Sequence, residues 1–202
     1  MVLYDRYLGL RLRYSDAALP ETVAVVLTER DLLERDAYDT LERFLEWAVE
    51  FGADRIAVYV SVLDAEVVDR IRRDLADVEA PLELAVRGPE DEEQADAPIV
   101  VSIGLGGKHE FATAVQGLAE AVEAGELDPT DIDEAAIERE LVFPVQPDLV
   151  VKTGAERLSD FMIWQSVYSE LYFTDVNWRD FRRRDYLRAL RDYQNRQRRF
   201  GR

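Results

Sequence analysis

Short apolar runs, each too brief for a helix, constrain the fold of this chain most. TVAVVL at 22–27, RIAVYVSV at 55–62, PIVVSI at 98–103 and Leu149-Val150-Val151 are nearly uninterrupted, and PLELAV at 81–86 is a weaker fifth. Runs of this length without polar alternation suit strands covered on both faces, as in the middle of a parallel sheet. The intervening segments have helical spacing. Ala37, Leu41, Phe44, Leu45 and Ala48 share one face of a long helix read from TERDLLERDAYDTLERFLEWAVEFG, with Gly52 as its stop. Val67, Val68, Ile71 and Leu75 line a second helix between Asp64 and Ala76, EFATAVQGLAEAVEAG gives a third, and 127–141 a short capped one. Residues 2–12 form a short amphipathic helix, and an Arg-rich helix ends the chain. PEDEEQAD reads as a solvated loop, and no internal repeat is present. Alternating strands and helices predict a single α/β domain over 1–202, with a mainly parallel central sheet flanked by helices. Ligands then belong at the C-terminal ends of the strands.

Charge narrows the partners. The 202 residues carry a formal charge of −17, with only two lysines, Lys108 and Lys152. A dispersed carboxylate surface suits a halophile and argues against nucleic acid as a partner. The exception is the Arg-rich tail at 179–202, which could meet diphosphates, anionic lipid head groups or another subunit, or be bridged to nearby acids. Cysteine is absent, which excludes disulfides and thiolate chemistry. No apolar signal core opens the chain and no apolar run approaches membrane-spanning length, so a cytoplasmic protein with at most peripheral membrane contact is expected.

The stretch PDLVVKTGAERLSDFMIWQSVYSELYF at 147–173 carries the chemistry. After its strand, Lys152-Thr153-Gly154 breaks the apolar pattern, and from Ser159 onward Phe161, Trp164, Tyr168, Leu171 and Tyr172 recur at helical spacing, predicting a largely buried helix. Lys152, Arg157 and the Ser159 hydroxyl at that helix start would build an anion site from charge and free N–H groups. Ser159 reads equally as an N-cap. Gly104-Leu105-Gly106-Gly107-Lys108 lacks the spacing of either nucleotide loop, and the lone His109 leaves no triad or His-rich metal site. Glu110 reads as first-turn helix charge.

VVKTGAERLSDFMIWQSVYSELYFTDVNW resembles the C-terminal signature of the cis-prenyltransferases, the undecaprenyl diphosphate synthase family, written RTGGExRLSNFLLWQxAYxELYFTDxxW. Arg199-Phe200-Gly201 matches the family's RxG, and LYDRYL and Pro20 resemble its opening. The resemblance implies an undecaprenyl diphosphate synthase-like fold, a homodimer or a heterodimer with a paralogue, and isopentenyl diphosphate and an allylic prenyl diphosphate as substrates. It implies isopentenyl diphosphate binding by Lys152, Arg157, Ser159, Arg199 and Gly201, and places Glu170 where the family glutamate helps hold magnesium. Trp164 and its aromatic neighbours are read as dimer interface.

Departures are equally informative. The family follows strand one with MDGNxRW; the aligned residues here are Leu27-Thr28-Glu29-Arg30-Asp31-Leu32-Leu33, with Thr28 in place of the catalytic aspartate. A hydroxyl does not replace a carboxylate on a hard dication. YVSVLDAE does not match the family's FSxEN, and the connections after the first three strands, which normally help wall the product tunnel, are shortened. The leading expectation is an accessory subunit of Z-polyprenyl diphosphate synthesis, like the Nogo-B-receptor-type subunits, which also lack the aspartate but keep RxG. The alternatives are an independently active Z-prenyl chain synthase, with Glu29 or Asp31 in the missing role, and a non-catalytic prenyl diphosphate-binding regulator.

Overall fold

The computed structural model describes residues 2–15, 17–89, 91, 97–104, 106–141, 146–154 and 164–200, with backbone alone at 2–5, 65 and 197–200. The apolar runs become strands β1 (Thr22–Thr28), β2 (Arg55–Ser61), β3 (Leu84–Arg87), β4 (Ile99–Gly104) and β5 (Leu149–Thr153), joined by a sixth, β6 (Glu170–Thr174). They form one sheet in the order β3-β4-β2-β1-β5-β6, every neighbouring pair parallel. β1 and β2 are buried along their central five residues and β5 along all five, which is why these runs lack alternation.

The helices are α1 (Val2–Arg13), α2 (Glu29–Leu33), α3 (Ala37–Glu50), α4 (Val68–Ala76), α5 (Gly107–Glu123), α6 (Glu134–Glu140) and α7 (Arg183–Phe200). The single helix expected after β1 is two, because Asp36 adopts a left-handed φ of 63° between them. The larger core lies on one sheet face, where Val25, Leu27, Val58, Val60, Val101, Ile103 and Val151 meet apolar residues of α1, α3, α4 and α7. Phe44 of α3 is its hub, edge-on to Trp178 at 5.8 Å, Phe181 at 6.2 Å and Tyr186 at 5.4 Å. The Trp178 indole donates to the Ala37 carbonyl at 3.0 Å, so the largest buried side chain leaves no orphan donor. Gln194 of α7 donates to the carbonyls of Leu12 (3.2 Å) and Ala17 (2.7 Å), fixing α1 against α7. The Asp148 carboxylate accepts from the backbone N–H groups of Glu21 (2.9 Å) and Thr22 (2.8 Å), clasping the starts of β1 and β5 together.

One expectation is corrected here. The apolar helix read from Ser159 through Tyr172 does not extend that far: residues 164–168 are turns and 170–174 are strand. β5 has a backbone edge to satisfy, and β6 pairs along it from Leu149↔Glu170 to Thr153↔Thr174. Leu171 then joins the smaller core and Tyr172 the larger, one on each sheet face, which a strand permits. Nor is the segment buried all round, since Val167 and Tyr168 are exposed. Trp164, expected at an interface, stacks on Phe111 of its own chain at 6.2 Å and donates to Glu138 at 3.4 Å.

Candidate functional site

Parallel register brings the strand ends to one rim, with Thr28 opposite Ser61, Ser61 opposite Gly104, and Lys152 opposite Val26 and Phe173. Lys152 is 5% exposed and lies on the sheet face of Val26 and Val150. Its Nζ donates to the Thr153 carbonyl at 3.0 Å, its one hydrogen bond among the described residues. The neighbouring Thr153 hydroxyl is also buried and has no partner among them. Gly154 follows in a bend, with φ 78° and its N–H bonded to the Val176 carbonyl at 2.9 Å. A buried cation held by one carbonyl is costly until an anion completes it. The other expected ligands, Arg157, Ser159 and Gly201, lie outside the described residues, as does the side chain of Arg199. Lys152 is therefore the member of the expected set whose side chain the structure places at the rim.

Thr28 closes β1 and caps α2. The Asp31 carboxylate accepts from the Thr28 backbone N–H at 2.8 Å and its hydroxyl at 2.9 Å, while the Asp31 N–H reaches the hydroxyl at 3.4 Å. This is a reciprocal capping box. Glu29 turns the other way and accepts from the Leu63 N–H at 3.0 Å, tying α2 to the loop after β2. The two carboxylates expected to replace the missing aspartate thus both accept backbone N–H groups. The Thr-x-x-Asp spacing that signals the cap is present in the sequence.

Glu170 stands elsewhere. It opens β6 opposite Leu149, three positions before Phe173, the partner of Lys152, and therefore about 10 Å along the strand from Lys152. Its carboxylate accepts from the Arg196 guanidinium at 3.1 Å, which also pairs with Asp192 at 2.8 Å. Among the described residues no three His, Cys, Asp or Glu side chains converge as metal ligands. Within one subunit, Glu170 as magnesium ligand finds no partner carboxylate at Thr28 and is engaged by an arginine. The described donors do not fit magnesium.

A second concavity has no local signature in the sequence. A cavity of about 510 Å³ opens between the C-terminal ends of β3 and β4 and helices α5 and α6, lined by Tyr59, Arg87, Ser102, Glu110, Arg139 and Glu140 among others. Burial lowers the Arg87 guanidinium's pKa, opposed by the charges of Asp91 and Glu110. Asp91 accepts from the Gly88 N–H at 2.8 Å and pairs with Arg72 at 2.7 Å. These walls mix charged side chains with apolar ones, Tyr59, Ile103, Ala114 and Leu141 among the latter.

The family model described as "Putative undecaprenyl diphosphate synthase" matches residues 70–201. The tritrans,polycis-undecaprenyl-diphosphate synthase (geranylgeranyl-diphosphate specific) of Methanopyrus kandleri is 30% identical over 249 aligned positions, covering 99% of this chain and 90% of that protein. The protein of the same name from Methanocaldococcus jannaschii is 53% identical over 107 positions, covering 50% of this chain and 38% of its own length. The first alignment is longer than this chain, which therefore lacks segments its relative has. Lavandulyl diphosphate synthase from Lavandula x intermedia, solved with dimethylallyl diphosphate, superimposes with a TM-score of 0.71 at 23% identity, covering 87% of this chain and 95% of that one. A probable undecaprenyl diphosphate synthase from Campylobacter jejuni gives 0.64 at 20% identity, covering 92% and 100%. These two establish the shared fold.

Proposed function

The chain belongs to the undecaprenyl diphosphate synthase family of cis-prenyltransferases, and we propose that it serves there as a subunit that holds isopentenyl diphosphate and relies on a catalytic paralogue for the allylic site. The observation that carries this reading is the state of Thr28. The position expected to hold the allylic diphosphate has a helix-capping hydroxyl, and the nearby carboxylates of Asp31 and Glu29 are engaged with backbone N–H groups. One further observation supports it: the sheet face under α3 and α4 is filled, with Val60, Ile71 and Ile103 fully buried.

In this reading Lys152, with Arg157 and Ser159, receives the diphosphate of isopentenyl diphosphate, and Arg199 and Gly201 cross to the neighbouring subunit's site. The paralogue carries the chemistry: the allylic carbon–oxygen bond ionises, the new carbon–carbon bond forms to isopentenyl diphosphate, and a proton leaves to give the Z double bond. The second reading, an independently active synthase, is favoured by the end-to-end similarity to the Methanopyrus kandleri enzyme. Incorporation of radiolabelled isopentenyl diphosphate in high salt separates the two. The expected result is little product from the protein alone and robust product when a paralogue with an intact DGNxR is added. Robust turnover alone, abolished by Asp31→Ala or Glu29→Ala, would establish the second reading instead.

A further inference from the structure

α1 has one stripe packed and another without cover among the described residues. Leu8 and Leu12 are buried and Gly9 approaches Phe51, whereas Tyr7 is 59%, Leu10 55% and Tyr14 84% exposed. At 3.6 residues per turn, Tyr7, Leu10 and Tyr14 fall within an arc of about 60°. Arg6 and Arg13 flank this arc on one side and Arg11 on the other. Arg13 is tied to Glu50 at 3.1 Å, while Arg6 and Arg11 hold no ion pair among the described residues. Arg191 of α7, equally without an ion pair among them, adjoins Arg11 and Tyr14 along the groove between the two helices. In a chain of charge −17, arginines with no carboxylate partner among the described residues, set beside exposed tyrosines, stand apart.

We infer that this face of α1 docks on an anionic lipid bilayer surface, Tyr7, Leu10 and Tyr14 entering the head-group region while Arg6, Arg11 and Arg191 meet lipid phosphates. Tyrosine and arginine each combine an apolar body with a polar tip that remains at the interface. Cationic flanks on both sides match a negatively charged plane. A second copy fits less well, because pairing this face with itself sets cationic flanks against each other. The acids elsewhere on the molecule do not forbid the contact at ~0.1 M salt, where the screening length of ~10 Å removes distant charges but not those touching head groups. No helix among the described residues is long and apolar enough to cross a membrane, so the contact is a surface one.

Vesicle flotation of the full chain tests this without recourse to activity. The protein should float with vesicles of phosphatidylcholine and phosphatidylglycerol and remain behind with phosphatidylcholine alone. Tyr7→Ser/Leu10→Ser/Tyr14→Ser should abolish flotation with thermal unfolding unchanged, and Arg6→Gln/Arg11→Gln should weaken the partition about fivefold for each arginine. Replacing Arg198 and Arg202 by Gln should leave flotation intact. Failure of the wild type to float, or flotation lost with the tail arginines but kept by the triple variant, would overturn the inference. So would a triple variant that turns a dimer into a monomer in light scattering when the wild type ignores vesicles, since the face would then be a self-association surface.

Discussion

Lys152 and Thr28 divide the work of the site unequally. Among the described residues Lys152 is buried with a single carbonyl contact, an arrangement that costs stability while its charge stays uncompensated. Lys152→Met keeps the length and removes the charge. It should stabilise the free protein by on the order of 1 kcal/mol, a rise of about 2–4 °C in Tm for a chain of this size. Isopentenyl diphosphate binding, measured by calorimetry, should weaken about tenfold to a hundredfold. A variant that loses stability and keeps its affinity would mark Lys152 as a structural residue. Asp91 yields a prediction in pH. The bond from the Gly88 N–H, opposed by burial and reinforced by Arg72, lowers its carboxyl pKa below the ordinary carboxylate value. A depressed folded-state pKa contributes stability that is present above the unfolded value near 4 and lost as pH falls through the folded one. Urea midpoints of wild type and Asp91→Asn should therefore differ at neutral pH and converge in acid. Parallel curves down to the acid limit would refute the assignment.

At the scale of elements, the sequence was legible where an element is buried on both sides and obscure where it is an edge. β1, β2, β4 and β5 are apolar because they are covered, so their runs located them. β6 is only partly covered, and its Leu171 and Tyr172 continue the helical spacing of Phe161, Trp164 and Tyr168, so the period pointed to the wrong structure. The break at Asp36 has neither Gly nor Pro to announce it. The burial of Lys152 and the Glu170–Arg196 pair depend on register between segments far apart in sequence, which local pattern does not contain. As an edge, β6 also carries Phe173, 53% exposed, beside exposed Val167 and Tyr168. Such an edge needs either a partner or a charge. If the proposed association with another subunit uses this edge, Phe173→Lys should lower the mass seen for the wild type in light scattering at high salt. An unchanged mass would rule β6 out as that contact.

For the whole molecule, a charge of −17 on 202 residues sets stability against ionic strength. Self-repulsion of the acids opposes compaction and fades as the screening length falls from ~10 Å at 0.1 M to ~3 Å at 1 M salt. The urea midpoint should rise with potassium chloride over this range; a flat or falling curve would show that the surface pairs already balance the acids. A different consequence comes from the place of β1. It is central in the finished sheet, yet its β5 neighbour lies more than a hundred residues downstream, and the Asp148 clasp on Thr22 spans 126 positions. While the ribosome is still short of β5, the nascent chain can pair β1 with β2 but leaves its valine-rich outer edge bare. Such an edge is adhesive, and closure across so long a loop is slow. Synthesis interrupted before β5 would therefore release an aggregating fragment, with no smaller stable domain to fall back on.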